Sequence, residues 1–266
     1  MEILEFLWND LLIRAILNLL VTFYKIFNSI GLPGSLGLAI IGLTVLIRLI
    51  LYPFTAAQLR SMQKMQALKP HMDRIKEKHK KDTMRQQQEM AKLYREHGVN
   101  PAAGCLPLII QIPIFIALYN VLLQVVSNGD IAKVTDEVNK IVYFPFLKIA
   151  EPWDPYFVGV HLGSKPSDFQ TAGIFLLSVP VITAALQFLQ TKMMTPKTQK
   201  QIVEKAAAAP GVDSSDFANI MQKQMLYFFP IMIGFFSYGF PIGLSLYWNA
   251  FTIFGIIQQY FVNRAK

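Results

Sequence analysis

Residues Leu36–Phe54 read LGLAIIGLTVLIRLILYPF, a run whose polar members are Thr44 and Arg48. A bilayer hydrocarbon core about 30 Å thick needs roughly 20 apolar residues as helix. The run is too long for a core strand and too poor in charge for a soluble surface helix. The whole chain follows it: 266 residues, 53% hydrophobic and 16% charged, with mean hydropathy +0.37. A soluble domain carries about 25% charge. This composition excludes a disordered chain and a nucleic-acid-binding one, and it predicts an integral membrane protein. The single cysteine, Cys105, excludes a disulfide framework and a Cys-based zinc cluster.

Working outward, four more segments reach comparable length: Cys105–Val126, Ala172–Leu189, Met225–Phe240 and Ile242–Ile257. Prolines 107, 113, 180 and 230 inside them are tolerated in membrane helices, where neighbours satisfy the freed carbonyls. Pro241 between Gly239 and Gly243 predicts a tight turn between the last two. The expectation is five spans. Residues 1–30 lack a basic cluster followed by a small-residue cleavage site, so no secretory signal peptide is expected. Arg14, Asn18, Thr22, Lys25 and Ser29 fall within an arc of roughly 80° on a helix. One polar stripe on an apolar helix describes a helix lying in the interface plane, with a sixth span as the alternative.

Charge sorts the loops. Eleven Lys and Arg lie between Leu59 and Asn100, five between Lys192 and Gln224, and Arg264 and Lys266 end the chain. Between Ser127 and Gln170 there are only Lys133, Lys140, Lys148 and Lys165. Cytoplasmic loops carry the Lys/Arg excess. The 59–100 loop, the 192–224 loop and the C-terminus are therefore expected in the cytoplasm, and the N-terminus and 127–170 loop outside. Within 59–100, Leu59, Met62, Met65, Leu68, Met72 and Ile75 recur at steps of three or four, and Met84, Met90, Leu93 and Tyr94 resume the stripe. This predicts two amphipathic helices ending near Gly98 at a left-handed cap. Their basic outer face suits anionic lipid headgroups, at about 1 kcal/mol per charge, or a docking partner. Their methionines suit a hairpin core or adaptable apolar contact. The 195–222 segment reads as short helix, turn, short helix. The aromatic and proline patches at Tyr143–Phe146 and Trp153–Pro155 suit an interfacial segment rather than a separate domain.

The chain contains no phosphate-binding loop, no H-E-x-x-H and no G-x-S-x-G, and His71, His79, His97 and His161 show no metal-ligand spacing. No catalytic residue, metal or cofactor is expected. The feature that stands out is Arg48. A charged side chain at membrane depth costs about 2.5–3.5 kcal/mol on insertion scales. No Asp or Glu occurs in the five apolar segments, so Arg48 either snorkels to the inner interface or faces a wet cavity. Gln111, Asn120, Gln124, Thr183, Gln187, Ser237, Ser245 and Asn249 are the polar residues able to line one, or to bond helix to helix. An unpaired cation in a cavity is a receptor for an anion.

Several stretches carry a resemblance: LTVLIRLILYP (Leu43–Pro53), QLRSMQKMQ (Gln58–Gln66), GVNPAAGCLP (Gly98–Pro107), QIPIF (Gln111–Phe115), LQTKMM (Leu189–Met194), PIGLSLYW (Pro241–Trp248) and Gln258-Gln259. In this order, and over nearly the whole chain, it resembles the YidC/Oxa/Alb membrane protein insertase family in its short bacterial form. The resemblance implies an all-α integral membrane protein, with five helices around a hydrophilic groove open to the cytoplasm, a cytoplasmic helical hairpin and an external N-terminal interfacial helix. The units expected are 1–34 for that helix, 35–58 for the first span, 59–100 for the hairpin and 101–127 for the second span. Then come the external loop 128–170, the third span 171–194, the cytoplasmic loop 195–223, the fourth and fifth spans 224–240 and 241–260, and the tail 261–266.

The implied activity is capture and insertion of hydrophobic client segments into the bilayer without nucleotide hydrolysis. Arg48 is implied to attract acidic client residues, with Gln187 and Trp248 as groove neighbours and Gln111 and Asn249 as further substrate-binding positions. On the hairpin, Met62, Met65, Leu68, Met72, Met84 and Met90 are the expected capture residues. Implied partners are nascent membrane-protein clients, anionic lipids, the ribosome and the Sec translocon. The chain shows neither the lipoprotein signal nor the long basic tail of some relatives, so lipid anchoring and tail-mediated ribosome docking are not expected. The competing reading is a small secondary transporter or channel using the same polar residues as an anion pathway. Such folds show internal repeats, and none is found here.

Overall fold

The computed structural model describes residues 7–79, 82–99, 106–126, 131–194 and 214–264. Cys105, the Lys80-Lys81 turn and most of the 195–222 segment lie outside the described residues. Helix α1 (Arg14–Ser29) follows a π-helical stretch, Leu7–Ile13. It reverses through Gly31 and Gly34, both at positive φ, into α2 (Ser35–Ile50). Ile16, Leu17, Leu20 and Val21 of α1 share one buried core with Leu36, Ala39, Ile40 and Leu43 of α2. The polar stripe of α1 is put to a use that periodicity did not foresee. Asn18 is buried; its Oδ1 accepts from the Tyr143 amide at 2.7 Å, and its Nδ2 donates to the Ile141 carbonyl at 3.4 Å. Lys25 Nζ donates to the carbonyls of Phe146 and Lys148. Asn18 and Lys25 of the stripe therefore seat the segment from Ile141 to Lys148, while Arg14 and Ser29 stay exposed.

Helix α2 stops at Leu51, and α3 (Tyr52–Ala67) leaves it at 63°. Pro53 has no N–H and clashes with the carbonyl of a continuing turn, which accounts for the break. The unit expected at 35–58 thus contains a bend. Helices α4 (Lys69–Lys78) and α5 (Thr83–Glu96) form the hairpin. Asp82 caps α5 by accepting the Arg85 amide at 3.0 Å, and the chain leaves α5 through Gly98 at φ +61° with Val99 N–H on the Tyr94 carbonyl. Leu68, Leu93 and Val99, packed by Met65, Met72, Ile75 and Tyr94, are its core. Burial pushes the Tyr94 phenol above its ordinary pKa.

Helix α6 (Leu106–Val126) is followed by α7 (Ile131–Ile141). A two-stranded antiparallel hairpin then pairs β1 (Tyr156–Phe157) with β2 (Val160–His161), Tyr156 opposite His161. Its Val158-Gly159 turn has positive φ at both residues, the type I′ geometry that matches strand twist. Phe157 sits where the side chains of Gly34 and Gly37 would be, so its ring locks the hairpin onto α2. Leu147, Ile149, Trp153 and Leu162 join the main core, Trp153 standing edge-on to Tyr24. This loop is part of the body of the protein.

A short helix α8 (Phe169–Ala172) precedes α9 (Ser178–Met194), α10 (Ser214–Gly239) and α11 (Ile242–Arg264). Helices α9 and α10 approach closely at Gly234, whose Cβ position lies 2.9 Å from Ala184 Cβ, as small residues permit between membrane helices. The carbonyls of Ser164 and Leu162 accept the free amides of Ile242 and Gly243 at the start of α11, at 2.9 and 2.8 Å. Among the described residues, Ile174–Met194 is the one continuous helix long and apolar enough to cross a membrane. Ser35–Ile50 with Tyr52–Met65 qualifies only as a bent pair, and Gln111–Val126 and Leu226–Gly239 are shorter apolar stretches. Helix α10 begins at Ser214, well before the expected start of its span at 224; its apolar part occupies only the second half.

Candidate functional site

Two cavities lie side by side among α6, α9, α10 and α11. The polar one, about 240 Å³, is walled by α2 and α3 as well. Its charge is Arg48. Its amides come from four helices: Gln58 of α3, Gln111 of α6, Gln187 and Gln190 of α9, and Gln258 and Gln259 of α11. The apolar one, about 380 Å³, is lined by Ile112, Phe115, Ile233, Phe236, Phe240 and Leu244, with Thr183, Ser237 and Ser245 as its hydroxyls. Gln111 and Trp248 line both and stand at the junction.

Arg48 is 6% exposed. Its guanidinium carbon lies 3.4 Å from the centroid of the Phe251 ring, and Nη2 donates to the Phe251 carbonyl at 2.7 Å. Its Nε is buried without a hydrogen-bond partner among the described residues. The ion pairs among those residues are Arg14 with Asp10 and Lys92 with Glu96; Arg48 has no carboxylate. A guanidinium offers five N–H donors and no acceptor, so a carbonyl and an aromatic face leave it unsatisfied. The side chain reaches across to α11, where it lies against Phe251 beside Gly255.

Several of the amides are tied to neighbouring side chains. Trp248 Nε1–H donates to Gln187 Oε1 at 3.2 Å, and Gln187 Nε2 to Gln190 Oε1 at 3.3 Å. Gln111 Nε2 donates to the Tyr247 hydroxyl at 2.5 Å, and Gln258 Nε2 to Thr55 Oγ1 at 2.5 Å. An amide donates and accepts and carries no charge, so such a lining can exchange hydrogen bonds with a passing polar chain. In the apolar cavity the hydroxyls bond to each other, Ser237 Oγ to Ser245 Oγ at 3.0 Å and to Thr183 Oγ1 at 3.4 Å, leaving aromatic surface exposed. Phe115 stands edge-on to Trp248 with ring centroids 5.5 Å apart.

Of the positions expected from the sequence, Arg48, Gln111, Gln187 and Trp248 come together. Asn249 does not. It follows Trp248 by one residue, hence about 100° around the helix, and lines neither cavity; its Oδ1 is buried without a partner among the described residues. On the hairpin, Leu68 is buried, and Met65 and Met72 pack into the hairpin's own core. Met62 and Met90 are half-buried, and Met84 is 72% exposed. Sequence reasoning left out Gln58, Gln190, Phe251, Gly255 and the Gln258-Gln259 pair as site residues. The signal for α11 was available: Trp248, Phe251, Gly255, Gln258 and Gln259 follow one another at helical spacing.

A helical membrane protein with a buried arginine facing an amide-lined cavity is the class that fold and site define. The chain matches the family model described as 60Kd inner membrane protein over residues 26–266, and it belongs to that family. It is 32% identical over 243 residues to the membrane protein insertase YidC of Rickettsia felis, covering 91% of this chain and 38% of that relative. It is 34% identical over 229 residues to the protein of the same name from Fusobacterium nucleatum, covering 86% of each. It is 32% identical over 254 residues to that of Streptomyces avermitilis, covering 92% and 56%. The chain thus spans well under half the length of the Rickettsia relative and nearly all of the Fusobacterium one.

Proposed function

We propose that this protein is a membrane protein insertase of a bacterial inner membrane, which takes the polar end of a client into the Arg48 cavity while the client's apolar segment passes into lipid. The observation that carries this reading is Arg48: a buried cation with no carboxylate among the described residues, held at the wall of a cavity whose other polar side chains are uncharged, most of them amides. An acidic client tail supplies the missing partner. The five apolar runs support five spans, and the distribution of Lys and Arg supports an N-terminus outside with the hairpin and C-terminus in the cytoplasm. The polar cavity then opens on the cytoplasmic half, and the apolar cavity lies towards the outer side.

No nucleotide is needed in this scheme. Transfer of the client's own apolar segment into lipid is downhill, and an acidic tail leaving an inside-negative cell gains about 2.3 kcal/mol per charge per 100 mV. The short apolar part of α10 favours local thinning of the bilayer, which shortens the dry distance left to cross. The hairpin meets clients first, with its basic face on anionic lipid, the ribosome or the Sec translocon.

Reconstitution into vesicles with a small hydrophobic client tests the reading. Wild type is expected to integrate clients with acidic translocated tails. A charge-assisted contact is worth about 1.5–3 kcal/mol, so Arg48→Ala should slow this by roughly 10- to 100-fold, while Arg48→Lys, which keeps the charge and loses the planar fork, should fall between the two. Equal insertion by Arg48→Ala and wild type at equal protein level overturns the role of Arg48. Solute flux without client integration would make the protein a transporter.

A further inference from the structure

Gly255 lies one turn beyond Phe251 on α11 and borders the polar cavity. A Cβ at this position would fall 2.9 Å from Arg48 Nη2 and would overlap Gln190 Nε2. Both neighbours are the far ends of long side chains, not backbone. A methyl group here is met by moving those two polar groups, with no rearrangement of the helices. The absence of a side chain at 255 therefore has a specific consequence: it leaves the niche in which the guanidinium lies against α11. There Nη2 reaches the Phe251 carbonyl, whose second lone pair is free beside the helix hydrogen bond, and the ring of Phe251 supports the cation's face. The face and one nitrogen are thereby committed to α11, and the remaining donors are presented at a set place.

We infer that Gly255 is a positioning residue for Arg48, keeping the guanidinium flat on α11 so that its uncommitted donors meet an acidic client group. The inference rests on the insertase reading above. A lysine side chain introduced at position 48 has no planar fork to lay in the niche and is indifferent to a methyl group at 255.

Two measurements decide it. The first reads the packing alone: nitrogen NMR of arginine side chains in lipid nanodiscs, with Arg48 assigned by its loss in Arg48→Lys. Wild type is expected to show Arg48 side-chain signals resolved from those of exposed arginines by restricted guanidinium rotation. In Gly255→Ala they should merge with the exposed set, at a Tm unchanged or raised, because alanine is the better helix former. The second reads insertion. Gly255→Ala should lower integration of clients with acidic tails by about tenfold and leave clients with neutral tails within about twofold of wild type. In the Arg48→Lys background, adding Gly255→Ala should cost nothing further.

An Arg48 spectrum unchanged by Gly255→Ala overturns the inference whatever insertion does. A changed spectrum with acidic-tail insertion at the wild-type rate also overturns it. So does an equal loss for acidic and neutral tails that persists in the Arg48→Lys background, since Gly255 would then only set the width of the cavity. Failure of wild type to integrate any client would instead strike the insertase reading, and the NMR comparison would still judge the packing of Arg48 on its own.

Discussion

The polar and apolar cavities share Gln111 and Trp248, yet they resolve burial in opposite ways. Around Arg48, polar groups from α3, α6, α9 and α11 converge, and the guanidinium keeps an unused donor. Around Phe115 and Phe236, the three hydroxyls satisfy one another, and what remains is hydrocarbon and ring edge. On the proposed reading, the difference separates a place for a hydrated client tail from one for an apolar segment. The apolar cavity lies towards the start of α11, where the Ser164 and Leu162 carbonyls cap the helix and Phe157 pins the β-hairpin onto α2. Polarity thus changes along α11, from rings and paired hydroxyls near its start to Arg48 and the amides further on.

The strongest way to break this contrast is chemical access. With Cys105→Ser as background, Gln111→Cys and Gln187→Cys should react with membrane-impermeant thiol reagents from the cytoplasmic side only. Ser245→Cys in the apolar cavity should react from neither side. Labelling of Gln187→Cys from both sides would indicate a through-pore and remove the contrast.

Charge placement sharpens it next. Ser237→Asp buries a carboxylate with no cation, and an uncompensated buried charge costs about 3–5 kcal/mol, so thermal unfolding in detergent should show a large loss of stability. Gln187→Glu places its carboxylate in the cavity that holds Arg48. It should fold at near wild-type stability and compete with acidic clients, depressing their insertion while sparing neutral ones. If both carboxylates are tolerated equally, the two cavities do not differ in the way described.

A smaller effect is expected at the junction. Trp248→Phe keeps an aromatic edge against Phe115 and loses the 3.2 Å bond to Gln187. That bond is worth about 1 kcal/mol, so insertion should fall a few-fold, with stability little changed. The smallest effect belongs to the hairpin. Met84→Ser should leave the Tm of the protein unaltered, because the side chain is exposed, whereas Met72→Ser removes a partner of Tyr94 Oη, 3.6 Å from its sulfur, and should loosen the hairpin. If Met84→Ser weakens client crosslinking to the hairpin and Met72→Ser does not, capture belongs to the exposed tip and not to the packed stripe.

Much of this molecule was legible from residue order. Long apolar runs set the helices, because a backbone in lipid must bond to itself. A helical region at 59–100 was legible from a stripe at helical spacing, and its end from Gly98, but the first part of that stripe is divided at Leu68 between α3 and α4. Arg48 announced itself because a lone cation in an apolar run has few accommodations. Harder to read were the glutamines. An amide in an apolar helix serves equally as a helix–helix bond or as cavity lining, and nothing in one helix's sequence says which face of the next one it meets. Asn18 and Lys25 illustrate the same ambiguity on α1: a polar stripe that reads as a water-facing edge is filled instead by the backbone of residues 141–148.

Composition, periodicity and the placement of Lys and Arg were therefore enough for the class of protein, most of its long helices and the one cation in an apolar run, because each rests on transfer energies that act residue by residue; the helix Ile131–Ile141 was not among them. The convergence of six glutamines on the Arg48 cavity, the extension of α10 back to Ser214, the exclusion of Asn249 and the niche at Gly255 were settled only by packing. Each depends on which helix faces come into register across long stretches of chain, and that is a property of the assembled body, with no counterpart in the pattern along any single segment.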